Sequence, residues 1–210
     1  MSESATRTGA LFIIAAPSGA GKTSLVRRLV ATLPELLVSV SHTTRAPRPH
    51  ERHEVDYYFV SEEEFNALLE QNRFLEHATV FDHSYATSRA WVEQQLAQGQ
   101  DVILEIDWQG AQQVRSRLDD TVSIFILPPS LDALEQRLLK RGDDADSMRR
   151  RLREALSDIE HCDEYDYLVV NDEFDRALEQ LAAIIIATRH NYRRQRVRHQ
   201  KLLQEILQQH

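Results

Sequence analysis

Residues 11–23 read Leu-Phe-Ile-Ile-Ala-Ala-Pro-Ser-Gly-Ala-Gly-Lys-Thr, and this stretch decides the fold. Leu11–Ala15 is an uninterrupted apolar run, which is typical of a strand buried on both faces of a sheet. Leucines recur at every fourth position in residues 22–33, which predicts a helix that Pro34 ends. A buried strand, a glycine-containing turn and a helix in direct succession predict an α/β fold, with a parallel sheet flanked by helices.

The turn between this strand and helix matches the phosphate-binding P-loop pattern, except that Ala16 replaces the first glycine. Glycines in such a turn let successive backbone N–H groups point inward around a polyphosphate at a helix N-terminus. The Lys22 ammonium can reach the β- and γ-phosphates, and the Thr23 hydroxyl can bind Mg²⁺. We therefore predict a nucleoside triphosphate site formed by Ala16, Pro17, Ser18, Gly19, Ala20, Gly21, Lys22 and Thr23. The alternative is a tight turn that binds no ligand.

Short apolar runs and helical patterns continue to alternate along the chain. Further strands are predicted at residues 37–40, 100–106, 123–127 and 167–170. Helices are predicted at residues 109–118, at residues 131–141 with Ser130 as the N-cap, and in one long helix from Phe174 toward the C-terminus. The fold class predicted is therefore a P-loop NTPase-type parallel sheet with helices on both sides.

Two segments interrupt the alternation. Residues 41–99 carry a proline-containing loop, an extended run around Tyr57, and a capping box from Ser61 to Glu64 that opens a helix. Residues 137–159 hold the densest group of arginines, split by Gly-Asp-Asp-Ala-Asp at 142–146. We predict that the first is an inserted subdomain and the second a helical lid. The core then comprises residues 9–40, 100–136 and 160–189, and residues 190–210 form a basic helical extension.

Composition limits the classes of function. The 210 residues include 25 basic and 33 acidic side chains, for a net charge of −8, which argues against general nucleic-acid binding. Residues 189–210 are the exception, with six basic residues and one acidic residue, so RNA or an oligomer contact are alternatives there. The longest apolar runs fall far short of the roughly 18 residues expected of a membrane span. With Cys162 alone and no export signal, a cytoplasmic location is expected.

The inserted segment offers a second phosphate site. Arg45 and Arg48 lie three residues apart in a proline-stiffened stretch, and guanidinium groups suit bidentate binding of phosphate. The hydroxyls of Tyr57 and Tyr85 can donate to the same oxygens. Taken alone, these residues favour a solvated loop with two core tyrosines over a phosphate site.

Six blocks of sequence together resemble the bacterial guanylate kinases. The blocks are Ser-His-Thr-Thr-Arg-Ala-Pro-Arg (41–48), Asp-Tyr-Tyr-Phe-Val (56–60), Phe-Leu-Glu-His-Ala (74–78), Glu-Ile-Asp-Trp-Gln-Gly (105–110), Phe-Ile-Leu-Pro-Pro-Ser (125–130) and Val-Val-Asn-Asp (169–172). The resemblance runs from about residue 9 to residue 189, and it extends to the order and spacing of the blocks.

The resemblance implies ATP-dependent phosphorylation of GMP and dGMP, with Mg²⁺ carried by ATP at Thr23 and no tightly bound protein metal. It places the GMP phosphate on Arg45, Arg48, Tyr57 and Tyr85, and the guanine among Ser41, Glu76, Thr87 and Asp107. Arg137, Arg141 and Arg151 match lid arginines that close over the ATP phosphates, and Asn171 matches a contact on the adenine side. The catalytic group would be Lys22, Arg45 and the three lid arginines. The resemblance does not determine the oligomeric state, and a homo-oligomer is compatible with it.

Guanine recognition by Glu76 also follows from chemistry. Guanine presents N1–H and the 2-amino group as adjacent donors, which one carboxylate can accept together. Adenine has a bare N1 acceptor in that place and would leave the carboxylate unpaired, which gives strong selectivity. Two positions depart from the family pattern: Glu105, near Mg²⁺ and the acceptor, replaces an expected aspartate, and Ala86 replaces a usual glycine.

Two other functions share this fold. A guanylate-kinase-like interaction module binds protein ligands without catalysis, but the intact Gly19, Gly21, Lys22 and Thr23 argue against it. A related kinase for a phosphorylated sugar would not need Glu76 and Ser41 as base-reading groups. The kinase acting on GMP is the function that the sequence favours.

Overall fold

The chain is described by a computed structural model that covers residues 9–80, 82–139 and 145–208. In chain order its strands are β1 (Leu11–Ala15), β2 (Leu36–Val38), β3 (His42–Thr43), β4 (Tyr58–Phe59), β5 (Phe74–Val80), β6 (His83–Ser88), β7 (Asp101–Leu104), β8 (Thr121–Leu127) and β9 (Tyr167–Val170). Its helices are α1 (Lys22–Thr32), α2 (Glu62–Glu70), α3 (Arg89–Ala97), α4 (Trp108–Arg117), α5 (Leu131–Leu139), α6 (Ala145–Glu160), α7 (Phe174–Arg189), α8 (Tyr192–Arg198) and α9 (Gln200–Gln208), with a short 3-10 helix at Cys162–Glu164.

Five parallel strands form the main sheet, in the order β2-β7-β1-β8-β9. Strand β1 lies at its centre, as the apolar run predicts, and all five of its residues are buried. Its side chains alternate between two cores: Phe12 and Ile14 pack with α1 and α7, whereas Leu11 and Ile13 pack with α3 and α4. The predicted α/β class with a parallel sheet flanked by helices is confirmed.

A second, four-stranded sheet lies within the inserted segment, in the order β4-β3-β6-β5. It has its own small core around Phe65, Phe74 and Ala86. The predicted capping box at α2 is confirmed, because the Ser61 hydroxyl accepts from the Glu64 N–H and the Glu64 carboxylate accepts from the Ser61 N–H. Helix α3 also falls within residues 41–99, and its Val92 and Leu96 pack with the main core.

Helix α6, except Glu160, and the last residues of α5 fall within residues 137–159, the segment predicted as a lid, and the rest of α5 lies in the segment predicted as core. Leu134 and Leu138 of α5 pack against Ala155 of α6 in a separate apolar cluster. The predicted N-cap is confirmed, since the Ser130 hydroxyl accepts from the Ala133 N–H at 3.1 Å. Helix α5 is described as far as Leu139, and residues 140–144 lie outside the described part of the chain.

The prediction of one long C-terminal helix from Phe174 is wrong beyond Arg189. The chain forms three successive helices there, α7, α8 and α9, because Asn191 leaves the helical conformation and its side chain caps the Arg193 N–H at 3.0 Å. Arg189, at the end of α7, is held by a 2.6 Å ion pair with Asp101 at the start of β7. Within the described ranges, no helix combines the length and apolar character needed to cross a membrane.

Candidate active site

A cavity of about 800 Å³ lies where the carboxyl ends of β1 and β7 face the second sheet and helix α6. Parallel sheets place their ligand sites at this edge, because the loops that follow the strands converge there. Sixteen of the residues predicted from sequence line it: Ala16, Pro17, Ser18, Gly19, Gly21, Lys22, Thr23, Ser41, Arg45, Arg48, Tyr57, Glu76, Tyr85, Glu105, Asp107 and Arg151. Segments that are far apart in sequence therefore share one site.

The P-loop takes its shape from two glycines. Gly19 and Gly21 have φ angles of 94° and 96°, a backbone conformation that residues with a Cβ atom rarely adopt. Ala16 is not among the residues with positive φ, so alanine replaces the usual first glycine without backbone strain. The side-chain amide of Asn171 donates to the Ala20 carbonyl at 2.7 Å, and it lies where a Cβ on Gly21 would clash.

Four predicted residues do not line the cavity as the structure describes it: Ala20, Thr87, Arg137 and Asn171. Arg137 donates to the carbonyls of Ala20 and Asn171 at 3.3 and 3.2 Å, so it stabilises the P-loop through its backbone. Arg141 lies outside the described residues. The nucleotide contacts assigned to these positions from the family resemblance stay predictions.

The Arg45 guanidinium lies at the centre of the residues predicted to form a second phosphate site. It donates to Glu51 at 2.9 Å, and this hydrogen bond raises the pKa of Arg45 and lowers that of Glu51. The guanidinium also lies 5.4 Å from the ring centre of Tyr57, and the Tyr57 and Tyr85 rings are 6.0 Å apart. Arg45 is thus oriented by a carboxylate that the sequence analysis did not single out, while the Arg48 side chain, 64% exposed, remains solvated.

The candidate base-reading group is the buried carboxylate of Glu76. It is 2% exposed and accepts a 2.5 Å hydrogen bond from the Thr87 hydroxyl, so Thr87 acts on the cavity through Glu76. Burial raises the pKa of Glu76 to about 7, and the nearby Asp107 carboxylate adds to this shift. Asp107 caps helix α4 by accepting from the Gly110 N–H at 2.9 Å, and burial raises its pKa as well.

Glu105 and Thr23 provide oxygen ligands suited to Mg²⁺ in the same cavity. The Glu105 Oε1 atom is buried, and no hydrogen-bond partner for it exists among the described residues. A buried carboxylate oxygen without a donor is costly unless a cation or a bound ligand satisfies it. These residues therefore fit a magnesium ion that arrives with a nucleotide.

Helix α6 contributes a group of lining residues that the sequence analysis missed. Asp158 is the most informative: burial raises its pKa to about 6, the Asp107 charge adds to the shift, and Lys22 opposes it. The group comprises Arg150, Glu154, Ser157 and Asp158, on the same helical face as Arg151. Their spacing of three to four residues was the available signal, because it places them on one side of a helix. Trp108, Gln109 and His83 also line the cavity.

Comparisons with known proteins agree with this geometry. A guanylate kinase family model matches residues 8–188. The chain is 56% identical over 200 residues to the guanylate kinase of Hahella chejuensis, covering 95% of this chain and 96% of that protein. It is 53% identical to the guanylate kinase of Saccharophagus degradans, covering 96% and 99%.

A solved structure extends the agreement to three dimensions. The crystal structure of guanylate kinase from Anaplasma phagocytophilum superposes with a TM-score of 0.75 at 33% identity, covering 89% of each chain. One family assignment explains both the α/β architecture and the cavity that combines a P-loop with a buried carboxylate. The chain belongs to the guanylate kinase family and is an enzyme, a nucleoside monophosphate kinase.

Proposed function

We propose that the chain transfers the γ-phosphoryl group of ATP to GMP, and also to dGMP, by direct in-line displacement. Phosphorylation of GMP with ATP is the activity of the family to which the chain belongs, and it serves purine nucleotide metabolism in the cytoplasm. The observation that carries the proposal is that one cavity contains both Lys22 of the P-loop and the buried carboxylate of Glu76. ATP and GMP would be its small-molecule partners.

Charge compensation is the main catalytic requirement. An oxygen of the GMP phosphate attacks the γ-phosphorus, a new O–P bond forms, and the bond to the β,γ-bridging oxygen breaks as ADP leaves with its electron pair. Both reactants are anionic, so catalysis consists of positioning and electrostatic stabilisation. Lys22 would act on the β- and γ-phosphates, and Arg45, Arg48, Tyr57 and Tyr85 would hold the acceptor phosphate.

Mg²⁺ would neutralise part of the phosphate charge when it is bound with ATP. The Thr23 hydroxyl and the Glu105 carboxylate are the groups of this chain that would hold it. Arg137, Arg141 and Arg151 would complete the cationic surroundings, with Arg137 acting through the P-loop backbone and Arg151 from the lid. Asn171, on the same account, would support the adenine side by holding the loop.

Guanine would be read by Glu76 in its ionised form, with Ser41, Thr87 and Asp107 beside it. Because the pKa of Glu76 is about 7, the free enzyme holds this carboxylate partly protonated at neutral pH. Two donors from guanine stabilise the charged form, whereas adenine offers no such pair. Acceptance of dGMP follows because the proposed contacts fall on the base and the phosphate and not on the ribose 2′-hydroxyl.

A coupled assay of ADP formation tests the proposal with ATP, Mg²⁺ and GMP, dGMP, AMP or UMP as acceptor. We expect turnover with GMP and dGMP, and rates with AMP and UMP lower by roughly 10⁴-fold or more. Equal rates with AMP and GMP would refute guanine reading. Absence of turnover with every acceptor would favour a binding module.

Substitution of Lys22 by arginine tests the role of the P-loop. We expect Lys22→Arg to lower kcat by roughly a hundredfold, because a planar guanidinium fits the loop poorly where a compact ammonium is required. Lys201→Arg is the matched control, since Lys201 is 91% exposed on α9 and pairs only loosely with Glu205 at 3.8 Å. A near-normal rate for Lys22→Arg would contradict the assignment.

A further inference from the structure

Gly110 occupies an unusual position for a glycine. It is buried in the first turn of α4, and its φ is not positive, so the backbone conformation does not require glycine. Glycine within a helix is less favourable than alanine. Another constraint must therefore explain why this position lacks a side chain.

The constraint is the close approach of Glu76. A Cβ atom placed on Gly110 would lie 2.5 Å from the Glu76 Oε2 atom and 3.2 Å from Cδ, well inside van der Waals contact. The Ile106 Cβ would be 3.3 Å away, which is also tighter than an ordinary contact. The first carboxylate oxygen of Glu76 is bound to the Thr87 hydroxyl, and the second lies beside the position that a Cβ of residue 110 would take.

Gly110 also contacts the second carboxylate proposed to read guanine. Its N–H donates to the Asp107 Oδ1 atom at 2.9 Å. Gly110 therefore lies next to both carboxylates. Its lack of a side chain leaves room for Glu76, and its backbone N–H binds Asp107. The atoms that would have to yield to a methyl group are the carboxylate end of Glu76, so the cost falls on the orientation of that group.

We propose that Gly110 is a positioning residue for guanine recognition, which sets the place of the Glu76 carboxylate by letting the backbone of α4 approach it directly. The inference rests on the proposed function, in which Glu76 accepts the two donors of guanine. Gly110 contacts no substrate in this account and acts through Glu76 and Asp107.

The test uses Gly110→Ala in the 210-residue chain, with KM measured separately for GMP and ATP. We expect KM for GMP to rise roughly ten- to a hundredfold, as for displacement of a binding group by about 1 Å, while KM for ATP stays within about twofold. The thermal midpoint reports whether the fold is kept. An unchanged KM for GMP would overturn the inference.

A double-variant comparison separates positioning from a general packing defect. Glu76→Asp shortens the side chain by one methylene and leaves room for a methyl group on residue 110. We expect Gly110→Ala to have little effect on KM for GMP in the Glu76→Asp background, so the two changes are strongly non-additive. Equal fold-changes in both backgrounds would overturn the inference. If Gly110→Ala alone unfolds, the comparison of Glu76→Asp with the double variant still tests the inference.

Glu76→Gln distinguishes failure of this inference from failure of the proposed function. If Glu76→Gln leaves the discrimination between GMP and AMP unchanged, the proposed base reader is wrong, and the inference about Gly110 falls with it. If it removes the discrimination while Gly110→Ala leaves KM for GMP unchanged, only the inference about Gly110 is wrong.

Discussion

At the scale of single residues, the burial of Glu76 opposes the ionised form that its proposed role in guanine reading requires. Its carboxyl group is almost fully buried, and burial raises its folded-state pKa from 4.5 to about 7. The folded state then binds more protons than the unfolded state between these two values, so stability falls as pH rises through this window. Above about pH 7 the buried carboxylate is charged, and its hydrogen bonds with Thr87 offset only part of the desolvation cost.

Replacing Glu76 by glutamine should therefore stabilise the free protein at high pH. We expect Glu76→Gln to raise the free energy of unfolding by roughly 1–3 kcal/mol at pH 8 and to leave it nearly unchanged near pH 4.5, where the wild-type group is neutral in the folded state and only about half ionised in the unfolded state. Urea unfolding of both proteins at the two pH values measures the difference. A variant that is less stable than wild type at pH 8 would show that burial does not penalise the charged form.

At the scale of elements, helix α6 serves two partners with its two faces. Ala155 packs with Leu134 and Leu138 of α5, whereas Glu154, Ser157 and Asp158 line the cavity. Arg150 forms a 3.3 Å ion pair with Asp82 in the turn between β5 and β6, which joins α6 to the second sheet. The pair is exposed and adds little stability. The helix is thus positioned by its apolar face, and its polar face adds charge to the nucleotide site.

Removal of the Asp158 charge should strengthen ATP binding. The carboxylate faces Lys22, so it competes with the triphosphate for that ammonium and repels the phosphate charge. Because the pKa of Asp158 is about 6, we expect Asp158→Asn to tighten ATP binding by up to roughly tenfold at pH 8 and to have little effect at pH 5, where the group is already protonated. Equilibrium titration with ATP in the absence of GMP measures this.

Asp163→Asn is the matched control for this change, since Asp163 is exposed and does not line the cavity. Weaker ATP binding by Asp158→Asn at pH 8 would indicate that the carboxylate supports the triphosphate and does not compete with it.

At the scale of the whole molecule, one cavity joins three units. The main sheet contributes the loops after β1 and β7, the second sheet contributes Tyr85 and Glu76, and the helical segment contributes α6. Phosphoryl transfer to GMP requires that water be kept from the γ-phosphate, and a cavity of about 800 Å³ is large enough to admit it. Closure of the second sheet and the lid over both substrates would exclude that water.

Small-angle X-ray scattering tests closure. We expect the radius of gyration to decrease when a nonhydrolysable ATP analogue, Mg²⁺ and GMP are bound together, because the two outer units then move toward the main sheet. Each nucleotide alone is the control and should produce a smaller change. An identical radius with and without both nucleotides would argue against closure.

The sequence by itself determined the parts of this protein that depend on neighbouring residues. The apolar run Leu11–Ala15 predicted β1, the glycines at 19 and 21 predicted the turn between β1 and α1, and Ser61 with Glu64 predicted the start of α2. Each of these signals lies within one strand, turn or helix end, where backbone conformation and side-chain capping are decided locally. The resemblance of six blocks also predicted the family correctly.

Only the tertiary structure decided which distant residues meet. How the helices and sheets pack decides the pairing of Arg45 with Glu51 and the approach of Asp158 to Lys22. It also decides the position of the Glu76 carboxylate where a Cβ on Gly110 would clash with it. Helical spacing predicts that residues share a face, but it does not say which face meets the cavity. Burial then sets the pKa values of Glu76 and Asp158, because desolvation depends on the surrounding packed atoms and not on the neighbours in the chain.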